Sequence, residues 1–109
     1  MSISVIIDNP TLEKHEKVNI PVATERVFQE YWKPGCKALG LQWIQLFPLG
    51  VEISTDELED ILTELAQFRE WAIHNLAPDT LSHVLERIDR LVVELPVILS
   101  EPGTKVFIG

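Results

Sequence analysis

Acidic side chains crowd one stretch of the sequence, in which Arg69 is the only opposing cation. Because helical side chains repeat every 3.6 residues, Asp56, Asp60 and Glu64 fall in one row, with Glu57 beside it. We expect this row to face solvent and to dock a basic surface of a partner protein. An ordinary solvated helix face would carry the same residues, and one exposed row cannot surround a metal ion. The acids of this stretch are Glu52, Asp56, Glu57, Glu59, Asp60, Glu64 and Glu70.

Trp71 follows the acidic stretch directly and lies beside the apolar stripe of that segment, not at its centre. Large aromatic side chains at the margin of a charged surface are frequent anchors of protein–protein interfaces. Trp71 is therefore a candidate partner-binding residue, although packing between two helices would account for it equally well.

Two histidines and their acidic neighbours form an alternative candidate site. Glu70 and His74 are four residues apart, and His83 and Glu86 are three apart on the next predicted helix. If the two helices pack side by side, these groups and Cys36 could line a pocket for acid–base chemistry or ligand binding. Neither spacing matches the Glu-x-x-His template of di-metal bundles, and helix-end histidines are common, so the sequence predicts no metal and no cofactor.

Cys36 is the only cysteine, which excludes a disulfide-stapled scaffold and fits a reducing cytoplasm. A neighbouring lysine lowers the pKa of a thiol in some proteins, but no base partner for Cys36 is identifiable. A buried structural thiol is the simplest interpretation. The sequence also lacks a Gly-rich phosphate loop, a Gly-x-Ser-x-Gly, a His-Glu-x-x-His and a Cys-x-x-Cys motif, which disfavours an enzyme.

Composition narrows the class of protein further. The chain has 109 residues with 46% apolar and 24% charged residues, which suits one globular domain over residues 1–109 and excludes a disordered acidic tail. The formal net charge of −8 disfavours nucleic acid as a partner. All of this charge lies in residues 52–109. The apolar runs near the N-terminus and over residues 91–99 are too short for a signal peptide or a membrane span, so we expect a cytoplasmic protein.

In the first half, residues 2–7 and 17–22 are predicted to form a hairpin across an Asp-Asn-Pro-Thr turn. Pro21 cannot donate a ladder hydrogen bond, which puts the second strand at an edge or ends it there. Thr24 is expected to cap a helix that Gly40 ends, with a kink or a break at Pro34.

In the second half, residues 41–47 and 51–54 suggest another hairpin around Pro48 and Gly50, or else a loop between strands that are not neighbours. A capping box at Ser54 predicts a helix to about His74. A second helix should start near Pro78, pack antiparallel to the first and run to about residue 100, with a kink at Pro96. Lys105–Ile108 is the predicted final strand.

These elements predict an α+β fold, a two-layer sandwich of about five mostly antiparallel strands covered by about three helices, in the order ββα-ββ-αα-β. In size and charge the chain resembles the small acidic single-domain α+β proteins of bacteria, some of which neutralise toxins or regulate partners. We therefore expect a cytoplasmic protein-binding domain, immunity-like or inhibitor-like in one version. The alternatives are a small enzyme or ligand-binding domain and a homo-oligomer joined through an edge strand, for which Lys105–Ile108 is the expected edge.

Overall fold

Four antiparallel strands and four α-helices make up the described part of this computed structural model, residues 2–8 and 18–109. The strands are β1 (Ser2–Asp8), β2 (Ile20–Thr24), β3 (Val51–Ile53) and β4 (Lys105–Ile108), in the sheet order β2-β1-β4-β3. The α-helices are α1 (Glu25–Val27), α2 (Lys33–Leu39), α3 (Thr55–Asn75) and α4 (Pro78–Ile98); a π-helical turn (Phe28–Trp32) joins α1 to α2, and a 3₁₀ helix (Ile44–Leu49) precedes β3. The α+β class is confirmed, whereas the number and order of elements differ from the prediction.

The predicted pairing of the first two strands is confirmed. β1 and β2 are antiparallel, with Ile3 opposite Ala23 and Ser4 opposite Pro21, so β2 carries one extra residue at this point. Such a bulge strengthens the local twist of a strand pair. β2 lies at the edge of the sheet, as the missing N–H of Pro21 predicted. The predicted turn after Asp8 lies outside the described residues.

The final strand does not form an edge, which corrects the sequence-based expectation. β4 lies between β1 and β3, with Ile108 opposite Val5 on one side and opposite Val51 on the other. Val106 and Ile108 are fully buried, so this strand holds the centre of the sheet and not its margin. Within the described residues the edges are β2 and β3, and oligomerisation through an edge strand remains a prediction.

The strand predicted over residues 41–47 is wrong, and the segment ends in the 3₁₀ helix instead. Leu41, Ile44 and Phe47 are buried at intervals of three residues, which is the period of a 3₁₀ helix and not the two-residue period of a strand. Gly50 ends this helix at a φ of 92°, a left-handed conformation that glycine adopts without strain. The predicted second hairpin is therefore absent, and β3 pairs with β4.

The first helical run, from α1 through the π-helical turn to the end of α2, does not break at Pro34. Thr24 caps the run as predicted, accepting a hydrogen bond from the N–H of Val27 at 3.1 Å. At the end of the π turn the N–H of Lys33 donates to the carbonyl of Phe28, five residues back. Pro34 has no N–H, and in a regular α-helix its ring would clash with the carbonyl four residues back. The wider π-helical turn accommodates the proline. Gly40 ends α2 with a φ of 67°, as expected.

The two long helices match their predicted limits closely. The capping box is present at the start of α3: Ser54 Oγ accepts from the N–H of Asp56 at 3.3 Å, and Ser54 N–H donates to Glu57 at 3.2 Å. α4 continues past Pro96 to Ile98, so this proline does not end it. The two-residue connection makes α3 and α4 antiparallel neighbours, as predicted, and Arg69 and Asp89 form an ion pair at 2.9 Å between them.

A stack of aromatic rings attaches the first helical run to α3. The ring of Trp32 lies 5.9 Å from that of Phe28 and 4.8 Å from that of Phe68, which in turn lies 5.7 Å from Trp71. Gly35 faces this stack, and a Cβ at that position would lie 2.6 Å from Phe68 and 2.7 Å from Trp71. The absence of a side chain at Gly35 therefore permits the close approach of α2 to α3.

Replacing Gly35 by alanine tests this close approach. Replacing an exposed helical glycine by alanine raises the free energy of unfolding by about 1 kcal/mol. Here we expect the opposite sign, a loss of about 1–3 kcal/mol in the free energy of unfolding, because the new methyl overlaps two rings. Urea denaturation measures the difference. The control is Gly40→Asn, since nothing lies within 4 Å of Gly40 and asparagine tolerates its conformation. A stabilised Gly35→Ala variant would refute the packing argument.

Candidate functional site

The predicted acidic row divides into an exposed and a structural part. Asp56 and Asp60 of this row are exposed on the first turns of α3, and so is Glu59, which was not part of the predicted row. We call Asp56, Glu59 and Asp60 the acidic patch. Glu57 is half-buried and its carboxylate accepts hydrogen bonds from Ser54 as part of the capping box. The patch is therefore smaller than the sequence predicted.

Glu64 is buried, with 9% of its surface exposed, which corrects its expected place on a solvent-facing row. Its carboxylate accepts hydrogen bonds from the backbone N–H groups of Gln42, Trp43 and Ile44, at 2.8 to 3.1 Å. A helix start leaves such N–H groups without partners in the helix, and a negative charge is favourable there. Glu64 thus supplies, from twenty residues further along the chain, the acceptor that the 3₁₀ segment lacks.

A signal for this role was present in the sequence. Glu64 is three residues after Ile61 and four before Phe68, both of which are fully buried, so helical spacing puts it on the apolar stripe of α3. The spacing could identify Glu64 as buried, but not the three N–H groups that bind it, because these belong to a separate segment.

A Glu64→Gln substitution keeps the size of the side chain and removes its charge. We expect a loss of about 3 kcal/mol in the free energy of unfolding, because the amide has no charge and its NH2 group replaces one accepting oxygen opposite the N–H donors. Hydrogen exchange at Gln42, Trp43 and Ile44 should accelerate. The control is Glu59→Gln on the exposed side of the same helix, which should change stability by no more than about 0.5 kcal/mol. Equal stability of the two variants would contradict the role of Glu64.

Cys36 is buried beside this carboxylate and is unsuited to nucleophilic chemistry. Burial is the main cause that raises the pKa of its thiol to about 12, and the negative charge of Glu64 raises it further. Because the thiolate is the reactive form, a thiol with this pKa is inert near neutral pH.

Alkylation of Cys36 by iodoacetamide tests this environment. At pH 8 the thiolate fraction of the native protein should be about three orders of magnitude below that of an ordinary thiol. We therefore expect negligible modification of the native protein, rising only as the pH approaches 12, and rapid modification in urea. Mass spectrometry follows the reaction over time. Native and unfolded protein reacting at similar rates at pH 8 would show that the thiol is not protected.

The histidine candidates lie on the exposed side of the long helices. Glu70 and His74 form a pair, with 2.9 Å between Oε1 and Nε2. His83 is exposed on α4, and no hydrogen bond or ion pair joins it to Glu70, His74 or Cys36. Among residues 2–8 and 18–109, no group of three or more His, Cys, Asp and Glu residues is arranged to hold a metal ion.

Trp71 is half-buried and belongs to the aromatic stack with Phe68 described above. At 1.5 Å per residue it lies about 16 Å along the helix axis from Asp60. The structure therefore separates Trp71 from the acidic patch, although both are on α3.

A cavity of about 340 Å³ lies between the first helical run and the 3₁₀ helix. The sequence alone does not predict this cavity, because its walls come from two segments that meet only in the folded chain. The spacing of Gln29, Lys33 and Lys37 at intervals of four residues was the one available signal. The lining residues are Phe28, Gln29, Lys33, Cys36, Lys37, Gln45, Pro48 and Leu49.

The chain matches no protein-family model, no curated protein and no solved structure with which it was compared. Within the described residues, no helix combines the length and the apolar composition needed to span a membrane.

Proposed function

We propose that this chain is a non-enzymatic protein-binding domain that engages a basic surface of its partner through the acidic patch, Asp56, Glu59 and Asp60. The observation that carries the proposal is that the three exposed carboxylates lie outside the ion pairs of the described residues. None of these three carboxylates forms an ion pair with any described residue. An immunity or inhibitor protein is one version of this function.

The described cations near the other acids are already engaged. Arg26 pairs with Glu30, Arg69 with Asp89, Arg90 with Glu94 and Lys105 with Glu52, at 2.7 to 3.5 Å between nitrogen and oxygen. Among residues 2–8 and 18–109, the acidic patch is therefore a concentration of negative charge without ion-pair partners. Such a surface accelerates encounter with a positively charged partner, and this effect weakens as salt is added.

The helix beneath the patch is held in place, which favours recognition without reorganisation. The capping box fixes the start of α3, and Ile61, Leu65 and Phe68 bury its opposite side completely. Asp56 and Asp60 are four residues apart, a spacing at which like charges repel by a few tenths of a kcal/mol, about 0.2–0.5. A bound cation relieves this repulsion, so the strain of the free protein favours the complex.

The test is capture of partners from the source cell with a triple variant, Asp56→Asn, Glu59→Gln and Asp60→Asn. Wild-type protein is expected to retain a basic protein at low salt and to release it at high salt. The triple variant should bind that purified protein about tenfold or more weakly, the scale of one or two charged contacts. Isothermal titration calorimetry at two salt concentrations gives the affinities.

The matched control neutralises three exposed acids elsewhere, Glu25→Gln, Asp79→Asn and Glu86→Gln. It changes the net charge equally, and Asp79 lies in the first turn of α4 as Asp56 does in that of α3. The proposal requires this control to bind like wild type. Equal loss in both variants would show a general effect of net charge, and unchanged affinity of the patch variant would exclude the acidic patch as the interface.

A further inference from the structure

The cavity beside α2 has the size and shape of a small-molecule site. Its volume of about 340 Å³ lies within the range of pockets that enclose small ligands. One wall is the helical run from Phe28 to Lys37, and the other is the 3₁₀ helix with Gln45, Pro48 and Leu49. Both walls are secondary structure and not irregular loops.

Apolar groups form much of the lining. Phe28 and Cys36 are buried at the helical wall, and Pro48 and Leu49 lie opposite them. The side chain of Leu49 has 83% of its surface exposed, which is the largest exposure among the large apolar side chains of the described residues. An apolar ligand body in the cavity would remove from water the part of Leu49 that lines it, which is favourable.

Positive charge accompanies this apolar lining, in contrast to the net charge of −8 for the chain. Lys33 and Lys37 are one helical turn apart, both line the cavity, and neither forms an ion pair with any described residue. None of the described residues that line the cavity is acidic. Gln29 and Gln45 add amide groups that donate hydrogen bonds.

Glu64 influences the helical wall of the cavity, since its negative charge raises the pKa of the Cys36 thiol. It does not line the cavity, and its oxygens accept hydrogen bonds from the N–H groups of Gln42, Trp43 and Ile44. The charged side chains that line the cavity are those of Lys33 and Lys37, and both residues are exposed.

From this combination we infer that the cavity binds a small amphipathic anion. The carboxylate or phosphate head is held by Lys33 and Lys37, and the apolar body lies against Phe28, Pro48 and Leu49. Two lysines and a cavity of this size do not suit a nucleic acid, which requires a longer basic surface. The inference is independent of the acidic patch, because the two surfaces share no residue.

The test measures binding of three probes with the same alkyl chain: octanoate, octyl phosphate and octanol. We expect at least one of the two anions to bind about tenfold or more tightly than octanol, because only a charged head forms charge-assisted hydrogen bonds. Comparing octanoate with octyl phosphate identifies the preferred head. Titration followed by backbone amide chemical shifts should place the changes at Gln29, Lys33, Lys37 and Gln45.

A Lys33→Gln, Lys37→Gln variant should lose the preference for the anions, and its exposed positions make a folding defect unexpected. The matched control is Arg26→Gln, Arg90→Gln, which removes two exposed cations away from the cavity and should bind like wild type. Equal binding of octanol and both anions, shift changes confined to other surfaces, or unchanged affinity in the lysine variant would each overturn the inference. The inference would also be overturned if none of the three probes bound at the highest concentration tested.

Discussion

The hydrogen bonds from three backbone N–H groups to the carboxylate of Glu64 hold the central segment of the chain in place. They attach the start of the 3₁₀ helix to the middle of α3, and they satisfy the buried N–H of Ile44 and the partly buried N–H groups of Gln42 and Trp43. The position of the 3₁₀ helix sets one wall of the lysine-lined cavity and the entry into β3. A single acidic side chain therefore connects the helical layer, the sheet and the cavity.

The same helix uses its acids in two different ways because it is amphipathic. Glu64 is buried at helical spacing from the buried Ile61 and Phe68, and backbone donors compensate the cost of burying its polar group. Asp56 and Asp60 are exposed to solvent, from which their charge acts on an approaching partner. The run of acids in the sequence thus contains residues with unrelated physical roles. Only the burial of each side chain in the folded protein distinguishes these roles.

What the sequence predicted well depends on local signals. The limits of α3 and α4 follow from a capping box, a proline near a helix start and apolar stripes, all within a few residues of the positions they determine. The edge position of β2 likewise follows from one residue, Pro21.

What the sequence did not predict depends on contacts between distant residues. The 3₁₀ helix requires Glu64, the central position of β4 requires its pairing with β1 and β3, and the cavity requires two segments to meet. Alternating apolar residues in Lys105–Ile108 indicate a strand, but they carry no information about which strands are its neighbours.

The central position of β4 also has a consequence for biosynthesis. Chains emerge from the ribosome in order from the N-terminus, and β4 is the last strand of this sequence to emerge. β1 and β2 can pair early, but among the described strands β3 has no partner until residues 105–108 are released. While both long helices are synthesised, the edges of β1 and β3 that later pair with β4 are therefore open to other strands. The four-stranded sheet is therefore completed only after α3 and α4 have been synthesised.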